Sequence, residues 1–346
     1  MEYKLGDICI LFTDGDWIES KDQASSGIRL LQTGNIGEGI YQDKGNRKKY
    51  ITSETFVKLR CTEVLPGDIL VSRLPEPVGR SCIIPNLDEE KMITAVDCSI
   101  CRVDEEIVTK KYLCYFMRSS MYYRQLHFAI SGTTRKRISR KNLGNIKVFI
   151  PHRNEQDNVV AILDFLEKIS GYRKKQLNDL DDLIKSRFVE MFGDPKTNNK
   201  NMSTLDFINV VKLQRGYDLP IQQRDLNGCV PVYGSNGKLG FHSEAKISAG
   251  VITGRSGTVG KVYYDEGDFW PLNTTLFSIE TYGNNVVFLS YLLELFELQR
   301  FVEGSGVPTL NRNIVHKAKI INAPFYLQNQ FADFVKQVDK SKFETV

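Results

Sequence analysis
From Val159 the apolar residues fall at alternating steps of three and four: Val159, Ile162, Leu163, Leu166 and Ile169, then Leu177, Leu180, Ile184, Phe188 and Met191. Such spacing draws one stripe along one face of a helix. The charged side chains around it, Lys174, Asp179, Asp182, Lys185 and Arg187 among them, fall largely off that stripe. Pro151 bars helix on the N-terminal side and Gly193-Asp194-Pro195 stops it on the other, so one helix is predicted over 153–192. About forty residues at 1.5 Å each make a rod of roughly 57–60 Å. A core helix seldom needs that length, and the stripe therefore reads as a coiled-coil seam for another helix. Gly171, costing about 1 kcal/mol against alanine, predicts a bend or fraying near the middle.

The seam begins again near the end of the chain, where Phe331, Phe334, Val335 and Val338 repeat the spacing of Val159, Ile162, Leu163 and Leu166, with Gln156 and Gln328 at matching points. On either side of the long helix, strand-like runs at 28–31, 68–71 and 146–150 and their later counterparts are punctuated by glycine and proline. The two flanking stretches carry the same landmarks in the same order. Pro66-Gly-Asp-Ile-Leu-Val-Ser-Arg73 is echoed by Ala249-Gly-Val-Ile-Thr-Gly-Arg255, and Val78-Gly-Arg80 by Val259-Gly-Lys261. The strand-like runs 96–103 and 272–279 follow, then the helix-like 112–117 and 288–293. Ser131-Gly-Thr-Thr-Arg-Lys-Arg-Ile138 and Gly304-Ser-Gly-Val-Pro-Thr-Leu-Asn311 then lead into strands closing at Pro151 and Pro324. The chain is an α+β protein with two repeated globular domains of mixed strand and helix, at 1–152 and 196–325. They are joined by the long helix within 153–195, and the start of a second, shorter helix occupies 326–346. Pairing along the whole first rod would need about forty residues at equal rise, so the second helix is expected to be truncated.

Composition adds limits rather than a function. A length of 346 residues with 41% hydrophobic content suits two or three ordinary cores. There is no apolar signal core at the start and no run of about 18 apolar residues, which points to a cytoplasmic chain with no membrane partner. Seven cysteines, crowded toward the first half, fit reduced thiols. Cys98-Ser-Ile-Cys101 has zinc-knuckle spacing but lacks a second pair or a nearby histidine, so buried strand cysteines are the better reading. A net charge of +4 decides nothing. Locally, Arg135, Lys136, Arg137, Arg140 and Lys141 stand together without an acid, a patch able to meet several phosphates.

Catalytic motifs fail on their spacing. Gly254-Arg-Ser-Gly-Thr-Val-Gly-Lys261 is one residue too long for a phosphate-binding P-loop, and Val262 stands where a magnesium-holding hydroxyl is needed. Its glycines and the cations Arg255 and Lys261 suit close approach to a polyanion instead. Asn322-Ala-Pro-Phe325 is similar to the Asn-Pro-Pro-aromatic loop of amino-methyltransferases, but no glycine-rich cofactor strand precedes it. Four scattered histidines suggest no nucleophile, base and orienter set.

These landmarks together resemble the DNA-specificity (S) subunits of Type I restriction-modification systems. The likeness is carried by Leu5-Gly-Asp-Ile8, Pro66-Gly-Asp-Ile-Leu70, Ser131-Gly-Thr-Thr134 and Met191-Phe-Gly-Asp-Pro195. In the second half it rests on Val230-Pro-Val-Tyr-Gly-Ser-Asn-Gly237, Thr253-Gly-Arg-Ser-Gly-Thr-Val-Gly260 and Asn311-Arg-Asn313. The second copy of the opening motif, Leu205-Asp-Phe-Ile208, lacks the glycine. The resemblance implies two target-recognition domains, each reading half of a bipartite site in double-stranded DNA, and helices that dock methyltransferase (modification) subunits. It implies no catalysis and no cofactor on this chain. S-adenosylmethionine would sit on the methyltransferase, and cleavage would belong to a nuclease/translocase (restriction) subunit. Arg73, Arg80, Arg135, Lys136, Arg137, Arg140, Lys141, Arg255, Lys261 and Arg312 form the pool expected to meet DNA. The rival readings are a methyltransferase using 322–325 and a coiled-coil scaffold without DNA affinity.

Overall fold
The computed structural model describes residues 1–74, 77–132, 135–225, 227–303 and 308–344, leaving aside the side chains of Phe343 and Glu344. It divides into two compact units, Met1–Ser170 and Gly171–Val346.

In the first unit a four-stranded sheet runs in the order Cys9–Asp14, Cys98–Val103, Ile69–Ser72, Ser81–Ile83. All four residues of Ile69–Ser72 are buried, because both faces of the sheet are covered. Ile69 and Val71 pack with Leu113, Tyr122 and Leu126 from the helices Lys110–Phe116 and Ser120–Ala129, and with Met117 between them. Leu70 points the other way, toward Leu31 and Met92 of a second four-stranded sheet, Gln23–Ala24, Lys49–Ile51, Ile28–Leu31, Met92–Thr94. Cys98 and Cys101 lie fully buried in their strand, and burial pushes the Cys98 thiol up to about 12, so it stays protonated.

The second unit has a six-stranded sheet in the order Lys212–Arg215, Thr275–Glu280, Ile247–Gly254, Val262–Pro271, Val230–Gly234, Gly237–His242. The helix Val286–Leu295 is apolar almost all round, and Val287, Phe288, Leu289, Leu292 and Leu293 are buried. It meets the end of the long helix, Arg153–Phe192, and the C-terminal helix, Phe325–Glu344. Phe188, Phe192, Phe288 and Phe331 form one ring cluster with centroids 4.9–5.9 Å apart. Phe331 lies against Phe188 and Phe192, while Lys342 reaches back to Asp181 at 2.7 Å. The two helices therefore run antiparallel.

The seam is in two states. Ile184 and Phe188 are fully buried, with Leu180, Met191 and Phe334 packed against the same core as Phe331, Val335 and Val338. Within the first unit Val159, Ile162, Leu166 and Ile169 are 38%, 60%, 54% and 40% exposed. Leu163 and Leu177 are half-buried. The fraying expected at Gly171 is absent: helix hydrogen bonding is continuous through it, and a Cβ there would meet nothing within 4 Å. A surface glycine lowers helix propensity, but the turns on either side carry the hydrogen-bond ladder across it.

The internal repeat holds at the level of single hydrogen bonds. Gly15 N–H donates to Cys98 O as Gly216 N–H does to Thr275 O, and Arg73 N–H donates to Asp97 O as Arg255 N–H does to Thr274 O. Ala95 N–H meets Leu31 O, and Leu272 N–H meets Tyr233 O. The fully buried Gln156 and Gln328 perform one task twice. Gln156 Oε1 accepts the Thr109 N–H at 2.8 Å and Gln328 Oε1 the Asn285 N–H at 3.0 Å, which pins the residue capping each domain helix to the start of a seam helix.

This register corrects three sequence alignments. Leu5 N–H bonds Ile146 O and Phe207 N–H bonds Ala318 O, so the counterpart of Leu5–Ile8 is the short helix Phe207–Val210 and not Leu205–Ile208. Burial of Leu5 and Ile8, matched by Phe207 and Val210, is what the two copies share; the glycine is not needed. Counting back from Arg73 and Arg255, Gly67 corresponds to Ala249 rather than Gly250, and both take a positive φ, +94° and +53°. Ile138 N–H donates to Arg73 O and Leu310 N–H to Arg255 O, which aligns Ile138 with Leu310 and not Asn311. Thr133, Thr134 and 304–307 of those two motifs lie outside the described residues.

His316 makes the second unit sensitive to acid. Its Nε2 accepts the Leu213 N–H at 3.0 Å, which needs a neutral ring. Burial, then Arg312 and Lys212, hold its pKa below the ordinary 6.5. The unfolded chain thus binds this proton more readily. The stability contribution is complete above about pH 6.5 and is lost as pH falls through the depressed folded value. Thermal melts of the chain and of His316→Gln between about pH 7.5 and 5 check this: the wild-type decline should be the steeper, and parallel declines would contradict it.

Candidate nucleic-acid interface
Glycines place a loop over the end of each main sheet. At Gly15 an added Cβ would stand 2.4 Å from the carbonyl oxygens of Thr94 and Ala95, and at Gly216 it would stand 2.2 Å from Leu272 O. Only glycine lets the chain pass so close to the turns 94–97 and 271–274. A cleft opens beside each crossing. In the first domain it has a volume of about 780 Å³ and is bordered by Trp17, Glu19, Asp97, Arg135 and Arg137. In the second it has about 490 Å³ and is bordered by Asp218, Arg224, Asn236, Leu239 and Asn273.

The ten cations expected at DNA take different places. Arg73 is 6% exposed; its Nη2 donates to Val96 O and its Nε lies 3.4 Å from Asp14 Oδ1. Arg255 Nη1 reaches Asn273 O, the matching carbonyl, at 3.4 Å. Both arginines brace the turn behind the cleft. Arg80 donates from Nε to Ile36 O at 2.7 Å and from Nη2 to Thr33 O at 3.0 Å, tying down the turn after Ile28–Leu31. By contrast Arg135, Lys136, Arg137, Arg140, Lys141, Lys261 and Arg312 are exposed. Arg135 and Arg137 come to the cleft from a loop closed by reciprocal Ser131 and Arg137 backbone bonds, 2.9 Å each. Arg140 and Arg312 each open a short helix, Arg140–Gly144 and Arg312–Val315, whose preceding residues Ser139 and Asn311 cap it. Lys261 follows Gly260 at φ +90°, as Arg80 follows Gly79 at +87°.

Sequence reasoning passed over a second basic edge. Arg29, Lys44, Arg47 and Lys49 surround a hollow of about 350 Å³ that shares Gln32 with the first-domain cleft. Arg29 is 1% exposed; its Nη1 donates to Lys49 O, its Nε lies 3.9 Å from Glu89, and its Nη2 has no hydrogen-bond partner among the described residues. The signal was present in the run Lys44-Gly-Asn-Arg-Lys-Lys49, which has four cations and no acid. Trp17, 69% exposed at the rim, was also missed, since a lone tryptophan in a polar stretch has no periodicity to flag it. Asn322–Phe325 joins the strand Lys319–Ile321 to the C-terminal helix, with Asn322 N–H on Ser203 O. That is a structural junction. Among the described residues no group of three or more histidine, cysteine or acidic side chains is placed to hold a metal, and no helix is long and apolar enough to cross a membrane.

Comparison with known proteins fits this duplicated arrangement. The model for the Type I restriction modification DNA specificity domain matches residues 1–181 and again 196–345. A protein of Haemophilus influenzae named as a type I restriction enzyme specificity subunit is 27% identical over 160 residues, which is 44% of this chain and 37% of that protein. The chain thus aligns with well under half of that relative's length. The S subunit of a Type I restriction-modification system from M. genitalium shares the fold, with a TM-score of 0.56 at 14% identity over 100% of this chain and 90% of that one. A chain from a structure of complex assembly and conformational transition in a type I R-M system gives 0.55 at 14% identity, covering 94% of that chain. With the family model matched in both halves and one framework built twice, the chain belongs to the Type I restriction modification DNA specificity family.

Proposed function
We propose that this chain is the DNA-recognition subunit of a cytoplasmic Type I restriction-modification enzyme. Each domain reads one half of a bipartite site in double-stranded DNA and performs no chemistry. The exposed stretch of seam, Val159, Ile162, Leu166 and Ile169, is where methyltransferase (modification) subunits dock, since an apolar stripe on a charged helix is stable only when covered. S-adenosylmethionine belongs to that partner, and cleavage to a nuclease/translocase (restriction) subunit. The observation that carries this reading is the duplication: two copies of one hydrogen-bonded framework, each with a cleft, in domains that both carry exposed cations. Phosphate contacts by those cations would set position, leaving the clefts to the bases.

The test pairs two measurements. Expressed with its methyltransferase in a host lacking both, the chain should direct methylation to one two-part motif, read by methylome sequencing. The purified chain alone should bind no S-adenosylmethionine in equilibrium dialysis. Binding by the chain alone would favour an enzyme built on 322–325 instead.

A further inference from the structure
The two clefts are one site made twice. The bonds that equate Gly15 with Gly216 and Ala95 with Leu272 also equate Trp17 and Ile18 with Asp218 and Leu219, and the turn 95–97 with 272–274. Apart from the two glycines, these positions line the two clefts. What is constant is backbone and floor. The glycine crossing, the arginine on the turn carbonyl and an aliphatic side chain, Ile18 or Leu219, recur in both. What differs is the chemistry facing the opening: Trp17 and Asp97 in one cleft, Asp218 and Thr274 in the other. Asp218 accepts a hydrogen bond from the Asn273 side chain, which fixes its carboxylate in place.

We propose, resting on the reading of each domain as a DNA half-site reader, that these clefts receive base edges and that Trp17 with Asp97, and Asp218 with Asn273, set the bases read in the first and second half-sites. A carboxylate among phosphates is repelled unless it meets a donor, and in the major groove the donors are the exocyclic amines of cytosine and adenine. Asp97 and Asp218 therefore select a cytosine or adenine at one position each. Trp17 supplies an apolar plane, complementary to a thymine methyl group or an unstacked base face. The cations on the rim hold the flanking phosphates and carry no sequence information.

The test uses the complex of the chain with its methyltransferase and reads the methylated motif across a genome. Trp17 and Asp218 are exposed, so Trp17→Ala and Asp218→Asn leave the folded units intact, and melting curves check this. Trp17→Ala should relax one position of the first half-site about tenfold, and Asp218→Asn one position of the second, with the opposite half unchanged. Asp97→Asn should shift its position away from the amine-bearing base. An unaltered motif in all three variants would overturn the assignment of the clefts, as would a change in both half-sites from one substitution. Absence of any two-part motif with the wild-type chain would instead refute the DNA-recognition function itself, so the two failures are distinguishable.

Discussion

Phe331→Ala is expected to lower the stability of the second unit by about 3–5 kcal/mol, the usual cost of emptying a fully buried phenylalanine site. Phe331 is 0% exposed and its ring lies 5.3 Å from Phe188, 5.9 Å from Phe192 and 5.4 Å from Tyr291. Three edge-to-face contacts are lost together with the buried area. Collapse is limited, because the neighbouring rings sit on two other helices held in the same core. Urea unfolding followed by near-UV circular dichroism should show the change in the transition of the second unit. Ile162→Ala, on the same seam but 60% exposed, is expected to change stability by less than about 0.5 kcal/mol. Its effect should appear as weaker capture by the proposed methyltransferase partner. Equal loss from both substitutions would mean that the two stretches of the stripe are covered alike, against their burial here.

The long helix was legible because its signal is local and redundant: ten apolar positions, one proline before and a Gly-Asp-Pro stop after all agree. Burial along it was not legible, since Ile162 and Ile184 look alike in sequence. Only the 20-residue C-terminal helix and Val286–Leu295 decide which is covered. The order of repeated landmarks was readable for the same reason as the helix, but their register was not. Leu5–Ile8 and Phe207–Val210 share buried positions and corresponding backbone bonds, not residue types, and an alignment on leucine and isoleucine slid by two. The site was partly readable. The run 135–141 announced itself by charge. Arg73 and Arg255 were found as cations, yet the backbone carbonyls of Val96 and Asn273 that they brace have no sequence signature. The Gly15 and Gly216 crossings were missed because a lone glycine in a loop is ordinary until the carbonyl that any side chain there would strike is known.

Replacing Arg135, Arg137 and Arg140 together by alanine is expected to cut the salt dependence of DNA binding by the assembled complex. Each phosphate contact removed takes about 0.9 from the slope of log K against log salt, so three contacts remove about 2.7. These side chains are exposed and lie outside the core clusters, so folding should be untouched. Affinity at low salt should fall by orders of magnitude while the difference from wild type shrinks as salt rises, since phosphate contacts weaken with screening. The motif should not change, because phosphate contacts position the protein and do not read bases. Arg73→Ala makes the contrast. Its guanidinium is buried on Val96 O beside Asp14, so that substitution should act by loosening the turn 95–97 and lowering the melting temperature. Salt titrations of binding for the triple variant and Arg73→Ala separate the two roles. An unchanged slope in the triple variant, with affinity intact, would remove this loop from the interface and leave the edge formed by Lys44, Arg47 and Lys49 to carry the phosphates of the first half-site.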